Sequence, residues 1–206
     1  MLTVDDIVDV ISQEAQEDMF ALSGVSDESI TDNFVLTTRR RFSWLFVNLL
    51  TAILASAVIA LFQGTIEKVV ALAALTPIVA SMGGNAGTQT LTVAVRALAT
   101  KELSATNALR IIWREALVGS INGLLFAFII AALVGLWLDN PVISFVAGIA
   151  MVVNLIAAGL AGILVPLTLR RIGADPAISS AVFVTTVTDC TGFFVFLGLA
   201  TWVLIK

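Results

Sequence analysis

The chain has 206 residues, of which 59% are hydrophobic and 13% charged, with a mean hydropathy of +1.03 and a formal net charge of -4. Ordinary soluble domains carry roughly 25% charged residues, so this composition excludes a soluble enzyme, a nucleic-acid binder and a disordered tail, and describes an integral membrane protein. The absence of histidine removes His-based catalysis and His metal ligands, and a lone Cys190 removes intrachain disulfides and thiolate clusters, so any metal here is bound by oxygen.

The charge is unevenly spread. Residues 1–38 carry Asp5, Asp6, Asp9, Glu14, Glu17, Asp18, Asp27, Glu28 and Asp32 and no Lys or Arg. All the basic residues lie in 39–206, beginning abruptly at Arg39, Arg40 and Arg41. Two parts are expected: an acidic, water-facing segment over 1–38 and a transmembrane domain over 39–206. The start has no cationic n-region, so no secretory signal peptide is expected. The acidic segment therefore stays on the side of synthesis or belongs to a larger soluble portion.

Within that segment Val4, Ile7, Val8, Ile11, Ala15 and Leu22 follow helical spacing, and the carboxylates lie mostly off the stripe. An amphipathic helix is predicted over 4–23, stopping at Gly24, with 25–38 as a polar linker. It is too acidic for a lipid-surface anchor, since anionic lipids repel it. Three roles stay open: a solvated brace, a docking element, or a regulatory cluster that binds divalent cations or pairs with inner-face arginines.

Five apolar stretches are long enough to cross roughly 30 Å of hydrocarbon: 42–62, 69–95, 111–138, 142–169 and 178–205. They lack period-2 alternation, so they are helices and the fold class is all-α. With the N terminus inside, Arg39, Arg40, Arg41, Arg96, Lys101, Arg110, Arg114, Arg170 and Arg171 are cytoplasmic, and Lys68 and Lys206 alone lie outside. That bias predicts an N-in, C-out protein with five spans. The odd count disfavours a simple inverted repeat.

The second span contains Pro77, then Ser81-Met82-Gly83-Gly84-Asn85-Ala86-Gly87-Thr88-Gln89-Thr90. Proline removes a backbone donor and glycines permit irregular backbone, so this span is expected to be interrupted. A broken helix exposes carbonyls that ligate cations. The competing reading is close packing, because Gly83 and Gly87 form a GxxxG. In the third span Gly119 and Gly123 form another, beside Asn122, and point to packing. Asn154 in the fourth span reads as interhelical glue, and Pro166 as a kink.

The fifth span holds Asp189, a carboxylate deep in apolar sequence. Such a residue costs roughly 2.5–3.5 kcal/mol on insertion scales, and no Lys or Arg sits mid-span to neutralise it. It is protonated, or wetted in a cavity, or paired with a bound cation. Thr185 lies one turn before it and Gly192 about one turn after, on the same face, with Thr186 close by. Cys190 reads as a packing residue.

These motifs carry a resemblance. The run from Pro77 through Ser81, Gly83, Gly84, Asn85, Gly87, Thr88, Gln89 and Thr90 to Arg96 resembles the second span of the MgtE family of magnesium channels. Phe183-Val184-Thr185-Thr186-Val187-Thr188-Asp189 with Gly192-Phe193-Phe194 resembles that family's fifth span. The resemblance implies a homodimer with the pore at its interface, Asp189 facing that pore and selecting Mg2+, and Gly84, Asn85 and Thr88 in the pore region beside Thr185 and Thr186. It also implies a bacterial-type plasma (inner) membrane. Family members carry cytoplasmic N and CBS domains that sense magnesium, joined to the first span by a plug helix. This chain has no room for them; residues 1–20 resemble the tail of a CBS domain running into the plug, and by that resemblance Met1 is expected to be an internal position of a longer protein. By the same resemblance Asp175, Glu14, Glu17 and Asp18 are candidates for regulatory Mg2+.

The leading reading is thus a dimeric channel or carrier for hydrated Mg2+, not an enzyme. A proton- or sodium-coupled divalent cation carrier with Asp189 as relay is the second. A non-transporting membrane assembly subunit, with polar residues serving helix contacts alone, is the third.

Overall fold

The computed structural model describes residues 33–104, 106–173 and 180–204. The helix expected over 4–23 and the candidate residues Glu14, Glu17, Asp18 and Asp175 lie outside the described residues. All described regular structure is helical: α1 (Phe34–Ala60), α2 (Gln63–Lys68), α3 (Ala71–Ala99), α4 (Ala108–Leu138), α5 (Pro141–Arg171) and α6 (Ser180–Leu204). Helices α1, α4, α5 and α6 are long and apolar enough to cross a membrane. The remaining expected span, α3, has 29 residues, about 43 Å of helix. It matches them in length but interleaves Ser, Asn, Thr and Gln with its apolar residues.

The first helix begins earlier than hydropathy suggests. Asn33 is its N-cap, the side-chain Oδ1 accepting from the Val35 amide at 3.0 Å. Phe34 to Arg41, expected as linker and junction, are therefore helical, because a capped helix tolerates polar residues in its first turns that an apolar window rejects.

Helix α5 is the centre of the bundle. It contacts α3, α4 and α6, and Ala147, Ala150, Asn154 and Ala158 along it are fully buried. It follows α4 through a two-residue turn. Asp139 takes the left-handed conformation at φ 48°. Asn140 then caps α5 by accepting from Val142 N at 3.0 Å and Ile143 N at 3.2 Å, with Pro141 at the first helical position. So short a connection makes α4 and α5 antiparallel neighbours.

Small residues close that seam, as the Gly119–Gly123 spacing predicts. A Cβ on Gly119 would lie 2.6 Å from the Leu155 carbonyl oxygen, and one on Gly123 2.9 Å from the Val152 Cα. From the other side, a Cβ on Gly159 would lie 2.9 Å from the Glu115 carbonyl oxygen. The backbones approach too closely for any other residue at these points.

Helix α3 runs parallel to α5, and α6 antiparallel to both. One core cluster joins Leu72, Leu75 and Val79 near the start of α3 to Phe196, Leu197 and Ala200 near the end of α6. A second joins Leu91 and Val95 near the end of α3 to Val184 near the start of α6. Helix α1 leans on α6, where Phe62, just beyond it, meets Phe194 edge-on at 5.8 Å. Ala55 is its one buried residue, and Phe42, Leu45, Phe46, Leu49, Leu50 and Ile53 are exposed.

Candidate ion pathway along α3 and α6

The Gly-rich segment of α3 does not interrupt the helix, which is continuous from Ala71 to Ala99 through Pro77, Gly83, Gly84 and Gly87. The expectation of a broken helix is corrected here. The glycines are used for close approach instead. Gly83 abuts the Asn154 side chain of α5, and a Cβ on Gly87 would lie 2.6 Å from the Val184 methyl Cγ1 of α6. Tertiary contact on both sides holds straight a segment that local propensity would weaken. A continuous helix also commits its carbonyls, so it offers no ring of bare main-chain oxygens to a cation.

What α3 does offer is a polar face. Ser81, Asn85, Thr88, Thr92 and Arg96 are all exposed, with Gln89 beside them. Their spacing of four, three, four and four residues puts them on one side of the helix. In a chain this apolar, a polar stripe that no other described helix covers is unsuited to lipid.

Helix α6 presents the complementary elements. Thr185, Thr186 and Asp189 are half-buried, whereas Thr188 is buried. The face that carries Asp189 is turned toward α3 and α5: a Cβ on Gly84 would touch the Thr185 methyl at 3.7 Å, and Gly192 abuts Asn154. Asp189 therefore sits between two contact points, one turn from each. Of the expected site residues, Gly84 and Thr185 face one another across this α3–α6 edge, with Asp189 one turn further along α6 and Thr186 half-buried on the same helix. Asn85 and Thr88 lie on the exposed side of α3.

The hydroxyls share one chemical state. Thr88 Oγ1 donates to the Gly84 carbonyl at 2.9 Å and Thr92 Oγ1 to the Thr88 carbonyl at 2.9 Å. Thr185 Oγ1 donates to the Ala181 and Val182 carbonyls at 3.0 Å, and Thr186 Oγ1 to Val182 at 2.6 Å. Each proton is spent within its own helix, so each oxygen turns lone pairs outward. A hydrated cation presents water hydrogens, which are donors, and these oxygens accept them.

Asp189 adds charge. Among the described residues no side chain hydrogen-bonds to it or pairs with it. Nor do the described residues contain any group of three or more His, Cys, Asp or Glu placed to hold a metal ion. One chain thus supplies one carboxylate and a set of acceptors, suited to gripping an ion through its waters rather than by direct ligation.

Two features escaped the reading of the sequence. Ser81 and Thr92 extend the polar stripe by a turn on either side, which their spacing from Asn85 and Thr88 already signals. Glu115 of α4 accepts a hydrogen bond from Thr90 Oγ1 of α3 at 3.3 Å; nothing in the local sequence marks that contact.

The family model for MgtE, described as a divalent cation transporter, matches residues 76–199, the stretch that includes both polar faces. The chain belongs to the MgtE family. Curated relatives agree with the assignment. The magnesium transporter MgtE of Enterococcus faecalis is 36% identical over 200 residues, covering 97% of this chain and 44% of the relative. That of Bacillus subtilis is 34% identical over 203 residues, covering 98% and 45%. That of Thermus thermophilus is 34% identical over 203 residues, covering 97% and 45%. This MgtE chain spans about half the length of the curated relatives it matches. As a member of a family of transporters it is not an enzyme.

Proposed function

We propose that the chain forms the membrane domain of a magnesium transporter, moving hydrated Mg2+ into the cytoplasm through a pore lined by α3 and α6 at a homodimer interface. Asp189 is the pore carboxylate, with Thr185, Thr186, Gly84, Asn85 and Thr88 around it. The observation that carries this reading is the polar stripe of α3, uncovered among the described residues, beside Asp189 of α6, which has no partner among them. One chain leaves both open, and a second copy related by a two-fold axis would enclose them and double the carboxylate. Two facing carboxylates repel unless a cation sits between them, so the site favours occupancy by a doubly charged ion.

The domain crosses the plasma (inner) membrane five times, N-in and C-out. The alternating directions of α1, α3, α4, α5 and α6 support this, as does the gathering of Arg96, Lys101, Arg110, Arg114, Arg170 and Arg171 at the helix ends assigned to the cytoplasm. Residues 1–38 lead into the domain from the cytoplasm. Regulatory Mg2+ at Glu14, Glu17, Asp18 and Asp175 belongs to this proposal as well.

Magnesium suits the chemistry because it dehydrates reluctantly and keeps an octahedral water shell. Acceptor oxygens and a single carboxylate per chain hold that shell loosely enough to release it. The test is Mg2+ influx into proteoliposomes, wild type against Asp189→Ala at matched folded protein. Influx lost in the variant is expected. Equal influx in both would remove Asp189 from the pathway.

A further inference from the structure

Asn154 is fully buried at 0% exposure in the middle of α5. Its Nδ2 donates to the Val79 carbonyl of α3 at 2.7 Å. Its Oδ1 is a buried side-chain oxygen without a hydrogen-bond partner. The same amide fills the space left by two glycines on two other helices, Gly83 of α3 and Gly192 of α6. A Cβ on Gly192 would lie 2.8 Å from Nδ2, and one on Gly83 would overlap the amide outright.

Position makes this wedge consequential. Gly83 precedes Gly84, where an added Cβ would lie 3.7 Å from the Thr185 methyl, and Gly192 follows Asp189 by about one turn. The amide therefore stands directly behind the polar edge shared by α3 and α6. It also grips α3 where that helix is weakest by composition, between Pro77, which has no N–H to donate, and Gly83-Gly84. A plain apolar residue of the same size would fill the space without orienting anything. An amide with one arm engaged and one acceptor left unpaired is retained at a cost.

We infer that Asn154 is a positioning residue for ion passage: wedged between Gly83 and Gly192 and bonded to Val79, it sets the spacing and register of α3 against α6 and so the placement of Asp189 relative to the Gly84–Thr88 segment. It touches no ion and acts through the two helices that do. This inference rests on the transport reading above, and it assigns that reading's geometry to a residue outside the pore.

The test uses the full chain in proteoliposomes, with Mg2+ influx measured across a range of concentrations and again with Ca2+. Asn154→Ala removes wedge and donor, and Gly192→Ala keeps the Asn154 side chain but pushes it from its seat. Supporting residues around ion sites typically change affinity by 10–100-fold. Both variants are expected to raise the KM for Mg2+ by about tenfold and to narrow the preference for Mg2+ over Ca2+, at equal amounts of folded protein. A lower melting temperature with KM and ion preference unchanged overturns the inference, since it leaves Asn154 a stability residue only. Should neither variant fold, hydrogen exchange on the wild-type chain decides. Amides 79–87 are expected to be protected as strongly as the centre of α5, and exchange as fast as in the loops overturns it. Wild-type chain that passes no Mg2+ counts against the transport reading, while the exchange experiment still reads the wedge.

Discussion

A carboxylate without a partner in apolar surroundings is retained against stability. Asp189 carries an insertion cost of roughly 2.5–3.5 kcal/mol at mid-span, and among the described residues nothing bonds to it. Replacing it by the neutral isostere removes the charge and so lowers that cost, the remaining amide being cheaper to bury than a carboxylate. Asp189→Asn is therefore expected to melt at the same or a higher temperature than wild type while its Mg2+ influx collapses. A fall in both, measured by thermal scan and vesicle flux, would make Asp189 a structural residue. The threonines give a finer test. Thr185→Val removes an acceptor but keeps the shape, and a single hydrogen bond is worth about 0.5–1.5 kcal/mol. Influx should drop between about twofold and tenfold, with Thr185→Ser retaining most of it; equal flux in Val and Ser variants would take Thr185 out of the pathway. Asp189 stands out in the sequence because a lone charge in an apolar run has few explanations. Asn154 was readable only as glue. Its type implies an interhelical bond, but no spacing rule says that Gly83 and Gly192, from helices far apart in sequence, close on the same side chain.

At the scale of elements, the glycines divide by what surrounds them. Gly159 faces the Glu115 backbone, where an added Cβ would lie 2.9 Å from its carbonyl oxygen, whereas a Cβ added at Gly64 in α2 would meet nothing within 4 Å. Gly159→Ala must push α4 off α5, and the strain of overpacking is about 1–3 kcal/mol. Gly64→Ala needs no movement and gains helix propensity, on the order of 0.5–1 kcal/mol. The first should lower the melting temperature and the second hold or raise it; the opposite order in a thermal scan of the purified chain would contradict the seam described here. The helices themselves were largely legible from apolar length. Two misreadings have physical causes. The start of α1 was placed late because hydropathy does not see an N-cap at Asn33. The break in α3 was inferred from Pro77 and the glycines, where tertiary contact with α5 and α6 overrides local propensity. The GxxxG of α4, by contrast, was legible, since close helix approach is what small residues at that spacing permit.

For the molecule as a whole, the bundle is organised around α5, with α3 and α6 leaving a polar edge open and α4 sealing the far side. The proposed topology makes a direct prediction. In a Cys190→Ala background, a cysteine at Asp139 should react with a membrane-impermeant maleimide added outside intact cells, and one at Glu102 should not. Labelling of Glu102→Cys in place of Asp139→Cys would invert the topology. The four apolar spanning helices were legible from composition, whereas the polar face of α3 was legible only as a motif, because a single sequence does not say which face its neighbours leave open.

The spent hydroxyl protons of α3 and α6 have an electrical consequence. Around Asp189 the hydroxyls of Thr185 and Thr186 present acceptors and the carboxylate repels anions, so chloride or phosphate is disfavoured beside the passing ion there. Magnesium would then travel without a counter-ion, and each transit would move two net charges. An elementary charge crossing 100 mV gains about 2.3 kcal/mol, so two charges gain about 4.6 kcal/mol. That is a concentration ratio on the order of a thousandfold for every 100 mV. Uptake by this protein is therefore expected to be electrogenic. Imposing an inside-negative potential on proteoliposomes with a potassium gradient and valinomycin should accelerate Mg2+ entry, and collapsing it should slow entry; influx indifferent to voltage would mean that an anion or a counter-transported cation accompanies the ion.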